Sequence, residues 1–318
     1  MTLLSKRNLK VAIGGLEAVG GISFDIEKGS RVGLVGESGA GKSMTAMAIT
    51  GLLPEGATTS GEVVMDDKNL LTMNERQLAK YRGSRIAMIF QDPMTALNPL
   101  MRVGNQVAES LIRHQDLSRD VARKQAVDIL ERVGLPNPAA KARAYPHELS
   151  GGQRQRVMIS AAIACDPELL IADEPTTALD ATIQAEILEL LADLVKAEGM
   201  ALLMITHDLP VIASQCEDVI VLYGGKIMEQ GEVSTLFKQP RHPYSAGLLR
   251  SQPLAPGVHG KVDRLPVIPG VVPPLGEFPS GCPFRDRCDR ASDQCTQVPE
   301  QSTGRTDAWC WHPIEETS

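Results

Sequence analysis

The chain has 318 residues, 43% of them hydrophobic and 22% charged, with a formal net charge of −7. At about 100–200 residues per domain, that allows one large domain with an appendage, or two domains, each with a core. The acidic balance argues against a broad nucleic-acid surface, the opening MTLLSKRN lacks the apolar centre of a secretion signal, and no apolar run reaches the about 18 residues that a membrane helix needs, so any membrane role is expected to run through a partner.

In chain order, RVGLV at 31–35 predicts a short buried strand that stops at a glycine-rich turn, and a helical pattern over 42–53 ends before Pro54. IAMIF at 86–90 predicts a second buried strand. From 103 to 133 apolar residues recur at helical spacing (Val107, Leu111, Ile112, then Val121, Val127, Ile129, Leu130, Val133), and a further helix is expected over about 151–165. ELLIA at 168–172 predicts a strand ending at Asp173. A helix over 181–198 follows, with Ile183, Ile187, Leu190, Leu191 and Leu194 on one face, then strands at 201–205 and 218–222. Strands alternating with helices imply a parallel α/β sheet covered on both faces, interrupted by a mostly helical insertion between about 92 and 165. After about 237 the composition changes. Prolines at 240, 243, 253, 256, 266, 269, 273, 274, 279 and 283 predict a linker and an extended wrap rather than a sheet.

GESGAGKS at 36–43 fits G-x-x-x-x-G-K-[ST] between a predicted strand and a predicted helix, the context that motif requires. Gly36, Gly39 and Gly41 let successive backbone N–H groups turn inward on phosphate oxygens, and the helix N-terminus adds partial positive charge. Lys42 would reach the β- and γ-phosphates and Ser43 would ligate Mg²⁺. The residues assigned to the nucleotide here are Gly36, Glu37, Ser38, Gly39, Ala40, Gly41, Lys42, Ser43 and Met44. Asp173 and Glu174 end a buried strand before Pro175. Alone they would read as solvated acids at a strand end. With a phosphate-binding loop upstream, Asp173 is expected at the Mg²⁺ shell and Glu174 as the general base that polarises the attacking water.

LSGGQ at 149–153 makes a resemblance specific: residues 1–237 resemble an ABC-transporter nucleotide-binding domain. The family's elements occur in order, with the phosphate-binding loop at 36–43, Gln91 within FQDPMTALNP, LSGGQRQR at 149–156, the Walker B strand at 169–174, TALD at 177–180 and ITHD at 205–208. The resemblance implies an α/β P-loop NTPase cassette with a RecA-like parallel sheet core, an N-terminal antiparallel β portion and an inserted α-helical subdomain over about 92–165. A Pro-rich, Cys-containing C-terminal extension then occupies 238–318. It implies an ATPase that binds ATP and Mg²⁺ and pairs head to tail with a second cassette. Ser150, Gly151, Gly152 and Gln153 would face the γ-phosphate held by the partner's loop, and Asp180 would contact the opposite subunit. Gln91 would sense Mg²⁺ and the γ-phosphate and, like Ser43, lie at the metal. His207, which by itself would read as structural, would stabilise the transition state. One departure is Ile13, which stands where members of the family carry an aromatic that stacks on adenine.

HPYSAGLLRSQP at 242–253, LPVIPGVVPPL and GCPFRDRC resemble the extension of oligopeptide and dipeptide importer ATPases. The resemblance narrows the cargo to peptides, with nickel or glutathione as the alternative. It implies two permease subunits, a second ATPase subunit forming a heterodimer, an extracytoplasmic binding protein reached through the permeases, no nucleic acid, and a peripheral position on the cytoplasmic face of the inner (plasma) membrane. A soluble ABC ATPase on ribosomes or DNA is disfavoured by the single cassette and the absence of long coiled coils. A non-hydrolysing regulatory subunit is disfavoured by Glu174 and His207. Cys165 and Cys216 sit in or beside apolar runs and read as small core residues. Cys282, Cys288, Cys295 and Cys310 are spaced C-x5-C-x6-C-x14-C, which matches neither the usual zinc nor the usual ferredoxin pattern. Thiolates suit Zn²⁺ and an iron–sulfur cluster alike. The subfamily resemblance points to a [4Fe–4S] cluster, with Zn²⁺ and metal-free cysteines as the alternatives. Trp309 and Trp311 are expected to pack over a tail short of core.

Overall fold

LLIAD and ALLMIT are buried at every position, because each lies in a sheet covered on both faces, where a continuous apolar run replaces alternation. The computed structural model describes residues 1–252 and 266–315. Pro253 and Pro256 of the expected linker, and Leu265 at the start of LPVIPGVVPPL, lie outside the described residues. The chain divides into two compact units. One comprises Met1–Leu4, Ile26–Arg31 and Met65–Ile205, and the other Ser5–Asp25, Val32–Val64 and Thr206–Ser318.

In the first unit, strand Ile86–Ile89 pairs in parallel with Leu169–Asp173, in register Ile86 with Leu169. Leu169–Asp173 pairs in parallel with Ala201–Thr206, in register Leu169 with Ala201. The expected long helical stretch from 103 to 133 is two helices, Val103–Gln115 and Arg119–Arg132. The first stops at Asp116, whose φ of 54° leaves the helical region, and the second starts on Ser118, whose hydroxyl accepts from the Val121 N–H. Val103, Val107, Ala108 and Leu111 of the first, Ala122, Ala126 and Leu130 of the second, and Val157 and Ile159 of helix Gly151–Ile163 supply its buried apolar positions. Helix Ala181–Glu198 has the expected bounds, closed by Gly199 in the left-handed region at φ 64°.

In the second unit, strand Arg31–Val35 pairs in parallel with Asp218–Tyr223 through Val32–Asp218 to Val35–Val221. Asp218–Tyr223 then turns back antiparallel onto Lys226–Glu232. The parallel pairing expected from strand–helix alternation is present, and an antiparallel strand adds to it here. The tail extends it, since Asp307–Trp309 pairs antiparallel with Lys226–Glu232 and Gln301–Ser302 with Asp307–Trp309. The proline-rich region also holds a helix, Pro243–Arg250, with proline at its first position, where the missing N–H costs nothing. Near the N-terminus, strand Thr2–Ile13 pairs antiparallel with Ala57–Met65 from Ser5–Val64 to Ile13–Ala57. Buried Glu229 ties the extension to the sheet. Its carboxylate accepts from the Arg241 and His242 N–H groups, both at 2.8 Å, and from the Thr306 hydroxyl at 2.7 Å.

Candidate nucleotide site

The turn after strand Arg31–Val35 accepts glycine alone at two points. A Cβ on Gly36 would lie 2.2 Å from the Leu222 carbonyl oxygen. One on Gly41 would lie 2.7 Å from the Ala18 carbonyl oxygen, in a backbone at φ 94°. Gly41 is the N-cap of helix Lys42–Thr50 and has no side chain with which to cap it, so no side chain caps the first N–H groups of that helix, an arrangement that suits an anion. The helix ends at Gly51, three residues short of Pro54. Lys42 is buried and folds back over the loop, its Nζ donating to the carbonyl oxygens of Gly36 at 2.8 Å and Glu37 at 3.1 Å. Ser38 and Gly39 form the exposed crest, Ala40 is buried beneath it, and Ser43 and Met44 are half-buried in the first helical turn.

Glu37 is held by parts of the chain more than 200 residues away. Its N–H donates to the Tyr244 hydroxyl at 2.9 Å. Its carboxylate accepts two bonds from the Arg287 guanidinium, at 2.6 and 3.1 Å. Burial, and then the Glu37 charge, raise the Tyr244 hydroxyl far above the ordinary tyrosine range, so it stays protonated. Neither Tyr244 nor Arg287 was legible as a site residue, because neither belongs to a phosphate-loop pattern.

In the first unit, Asp173 ends its strand at 4% exposure. Glu174, next in the chain, has φ 46°, a left-handed backbone uncommon for a residue with a side chain, and its N–H donates to the Ile205 carbonyl oxygen at 2.8 Å. That turn leaves its carboxylate to accept from Gln91 Nε2 at 3.1 Å and from the Thr177 hydroxyl at 2.8 Å. Gln91 and Glu174, 83 residues apart, are thus brought together, and Thr177 is an added partner that the motif reading passed over.

The LSGGQ segment is a capping box. Ser150 Oγ accepts from the Gln153 N–H, and Gln153 Oε1 accepts from the Ser150 N–H, both at 3.3 Å. Gly152 sits where a Cβ would come within 2.8 Å of Ile183 Cγ2, and Gly151 lies beside Leu179. Asp180 is the N-cap of helix Ala181–Glu198, its Oδ1 accepting from the Ile183 N–H at 3.1 Å. In the second unit, His207 is exposed just beyond Thr206, whose hydroxyl accepts from the Asp208 N–H at 3.0 Å. Ile13 is half-buried at the end of its strand.

Cys216 is buried and Cys165 half-buried, and none of the six cysteines is disulfide-bonded. Cys282, Cys288, Cys295 and Cys310 fall in one lobe. Burial first, and then Cys282, Cys288 and Cys295, push the Cys310 thiol up to about 12, and burial pushes Cys282 up to about 11. Cys288 Sγ accepts from the Arg290 N–H at 3.4 Å and Cys310 Sγ from the His312 N–H at 3.3 Å. The expected iron–sulfur or zinc site is not met here. Among the described residues, no group of three or more His, Cys, Asp or Glu side chains is arranged to hold a metal ion. Trp311 donates from Nε1 to the Gln297 carbonyl oxygen at 3.2 Å. Among the described residues no helix is long and apolar enough to cross a membrane.

Residues 19–177 match the ABC transporter family, and residues 228–295 match the oligopeptide/dipeptide transporter C-terminal region. A protein of Sinorhizobium fredii named as a probable peptide ABC transporter ATP-binding protein is 48% identical over 98% of this chain and 96% of its own length. The oligopeptide transport ATP-binding protein AppD of Bacillus subtilis is 45% identical over 96% of this chain and 95% of its own. Among solved structures, the dimeric bacterial ABC transporter cassette MJ0796 is 30% identical with a TM-score of 0.65, over 73% of this chain and 99% of that one.

Proposed function

The chain belongs to the ABC transporter family, and from that premise we propose that it is the ATP-binding and ATP-hydrolysing subunit of a peptide importer. The observation that carries the proposal is the joining, in one chain, of a glycine-built phosphate loop with its buried lysine to a C-terminal region of the oligopeptide/dipeptide transporter type. Residues 1–237 act as the cassette, with the helical insertion at about 92–165, and 238–318 as the extension.

In this reading the amides of 38–43 and Lys42 neutralise the β- and γ-phosphates. Mg²⁺ would supply further neutralisation of phosphate charge. Ser43 and Gln91 would offer it oxygen donors, with Asp173 at its hydration shell, and hard oxygen ligands suit that ion. Glu174, aimed by Gln91 and Thr177, takes the proton of the attacking water. His207 holds charge that develops on the γ-phosphate. Ser150, Gly151, Gly152 and Gln153 of one cassette close over the nucleotide of the other, with Asp180 at the seam, in a head-to-tail pair with a second, different ATPase subunit. Two permeases carry the cargo that an extracytoplasmic binding protein delivers, and the subunit stays peripheral on the cytoplasmic face of the membrane.

The finer reading of Cys282, Cys288, Cys295 and Cys310 as ligands of a [4Fe–4S] cluster, with Zn²⁺ as the alternative, rests on resemblance, on the gathering of the four thiols, and on the N–H groups aimed at two sulfurs. Iron and a visible absorbance band in anaerobically purified protein support it, and a colourless, iron-free sample overturns it. The function is tested by purifying the chain with its membrane neighbours, reconstituting them in lipid and measuring ATP hydrolysis with di- and oligopeptides. Stimulation by peptides supports the proposal. Stimulation by nickel or glutathione alone reassigns the cargo, and co-purification with ribosomes or DNA instead of permeases overturns it.

A further inference from the structure

Glu37 places a carboxylate inside a loop whose other groups are arranged to attract a polyanion. Left alone, that charge would oppose nucleotide binding. It is not left alone, since Arg287 meets it with a two-pronged fork at 2.6 and 3.1 Å. Arg287 is itself fixed on its other sides. Its Nε donates to the Pro269 carbonyl oxygen at 2.9 Å and its Nη1 to the Tyr223 hydroxyl at 3.2 Å. The rings of Tyr223 and Phe284 lie 5.6 and 6.0 Å from the guanidinium carbon. With Arg287 at 7% side-chain exposure and Glu37 at 28%, this is not the mobile, screened surface pair that contributes little, but a part-buried, bidentate one whose guanidinium is held by four hydrogen bonds. The same loop residue is gripped twice more, by Tyr244 at its N–H and by Lys42 at its carbonyl.

We propose that Arg287, carried by the C-terminal extension, is a positioning residue for the nucleotide site: it cancels the Glu37 charge and, with Tyr244, fixes the loop from which Lys42 is presented. The inference rests on reading 36–43 as that site. It gives the extension a task within the ATPase cycle in addition to any role of its cysteines.

The test uses the full chain assembled with its cognate subunits, with Kd for a fluorescent Mg-ATP analogue, KM for ATP, and kcat. Arg287→Met is expected to raise Kd and KM about tenfold with kcat within about twofold, the pattern of lost binding rather than lost chemistry. Adding Glu37→Gln to Arg287→Met removes the uncompensated charge and is expected to return Kd to within about threefold of the starting chain, a non-additive recovery that a mere structural tether would not give. Arg287→Lys, which keeps charge but not the fork, is expected to raise KM about threefold; it carries the test if Arg287→Met does not fold. An unchanged KM in either single variant overturns the inference, as does a double variant no tighter than Arg287→Met. A starting chain that binds no Mg-ATP would sink the nucleotide reading and this inference with it. Normal binding in that chain, together with an indifferent Arg287, sinks the inference alone.

Discussion

The phosphate-binding loop and the LSGGQ segment are both short, glycine-bearing turns at helix N-termini, yet they are held in different ways. The LSGGQ turn satisfies itself, since Ser150 and Gln153 exchange hydrogen bonds three residues apart. The phosphate loop has no cap of its own at Gly41, and its second residue is secured by Tyr244 and Arg287, distant in sequence. A self-capped turn can travel with its helix as a rigid piece without being remade. A loop held from a distance answers to whatever happens in the region that holds it. Conformational coupling within the chain is therefore expected at the phosphate loop and not at LSGGQ.

The largest effect that probes this contrast lies outside both turns. Glu174→Gln keeps shape and hydrogen bonding but cannot accept a proton. Steady-state hydrolysis is expected to fall about 10²–10⁴-fold while Mg-ATP binding persists, so that occluded nucleotide accumulates. Undiminished turnover would remove Glu174 from its role and leave both turns without chemistry to serve. Next, Gly36→Ala drives a methyl group into the Leu222 carbonyl oxygen at 2.2 Å, which backbone cannot avoid by rotating. A loss of about 3 kcal/mol of unfolding free energy in urea titration, at the upper end for overpacking, is expected together with loss of nucleotide binding. Wild-type values of both would show that the loop is softer than its contacts imply.

Most of the cassette was legible because its elements are governed by local pattern. The strand at 31–35 and the helix at 181–198 have the bounds expected from apolar runs and periodicity. The break at Asp116 was blurred, because apolar spacing on either side is helical and only the Asp116–Ser118 turn chemistry marks the stop. Strands as short as Gln301–Ser302 and Asp307–Trp309 carry no period, and they exist only because Lys226–Glu232 offers them an edge. Within the site, the motif residues were legible by order and spacing. The Arg287–Glu37 pair was not, since its members lie 250 residues apart and neither is unusual where it stands. The cysteine spacing carried a chemical possibility but no geometry, and so could not foretell that Cys288 and Cys310 accept from backbone N–H groups.

A third prediction separates the extension from the cassette by pH. His242 is 1% exposed, and burial lowers its pKa from 6.5 to about 3. The folded chain therefore keeps this imidazole neutral while the unfolded chain protonates it below 6.5. The contribution to stability is complete above about pH 6.5 and is lost progressively as pH falls toward about 3, amounting to about 1.4 kcal/mol by pH 5.5. Urea midpoints at pH 7.5 and 5.5 should differ in that direction, and His242→Gln should flatten the difference. A slope unchanged by the substitution would place the acid sensitivity elsewhere.

The smallest effects bear most directly on the contrast between the two turns. Ser150→Ala removes a cap and should cost about 1 kcal/mol of stability, with Mg-ATP affinity of the isolated, unpaired chain unchanged, because there Ser150 faces no partner's nucleotide and the damage is confined to its own helix. Tyr244→Phe removes one hydroxyl from a buried core, for a similar loss of about 1 kcal/mol. It should also weaken Mg-ATP binding several-fold, because the missing oxygen is the acceptor for the Glu37 N–H. Comparing the two variants at matched loss of stability isolates the point at issue. If Tyr244→Phe leaves nucleotide affinity as untouched as Ser150→Ala does, distant support of the loop has no functional weight. If Ser150→Ala weakens it as much as Tyr244→Phe, the LSGGQ turn is not the self-contained piece its capping box implies.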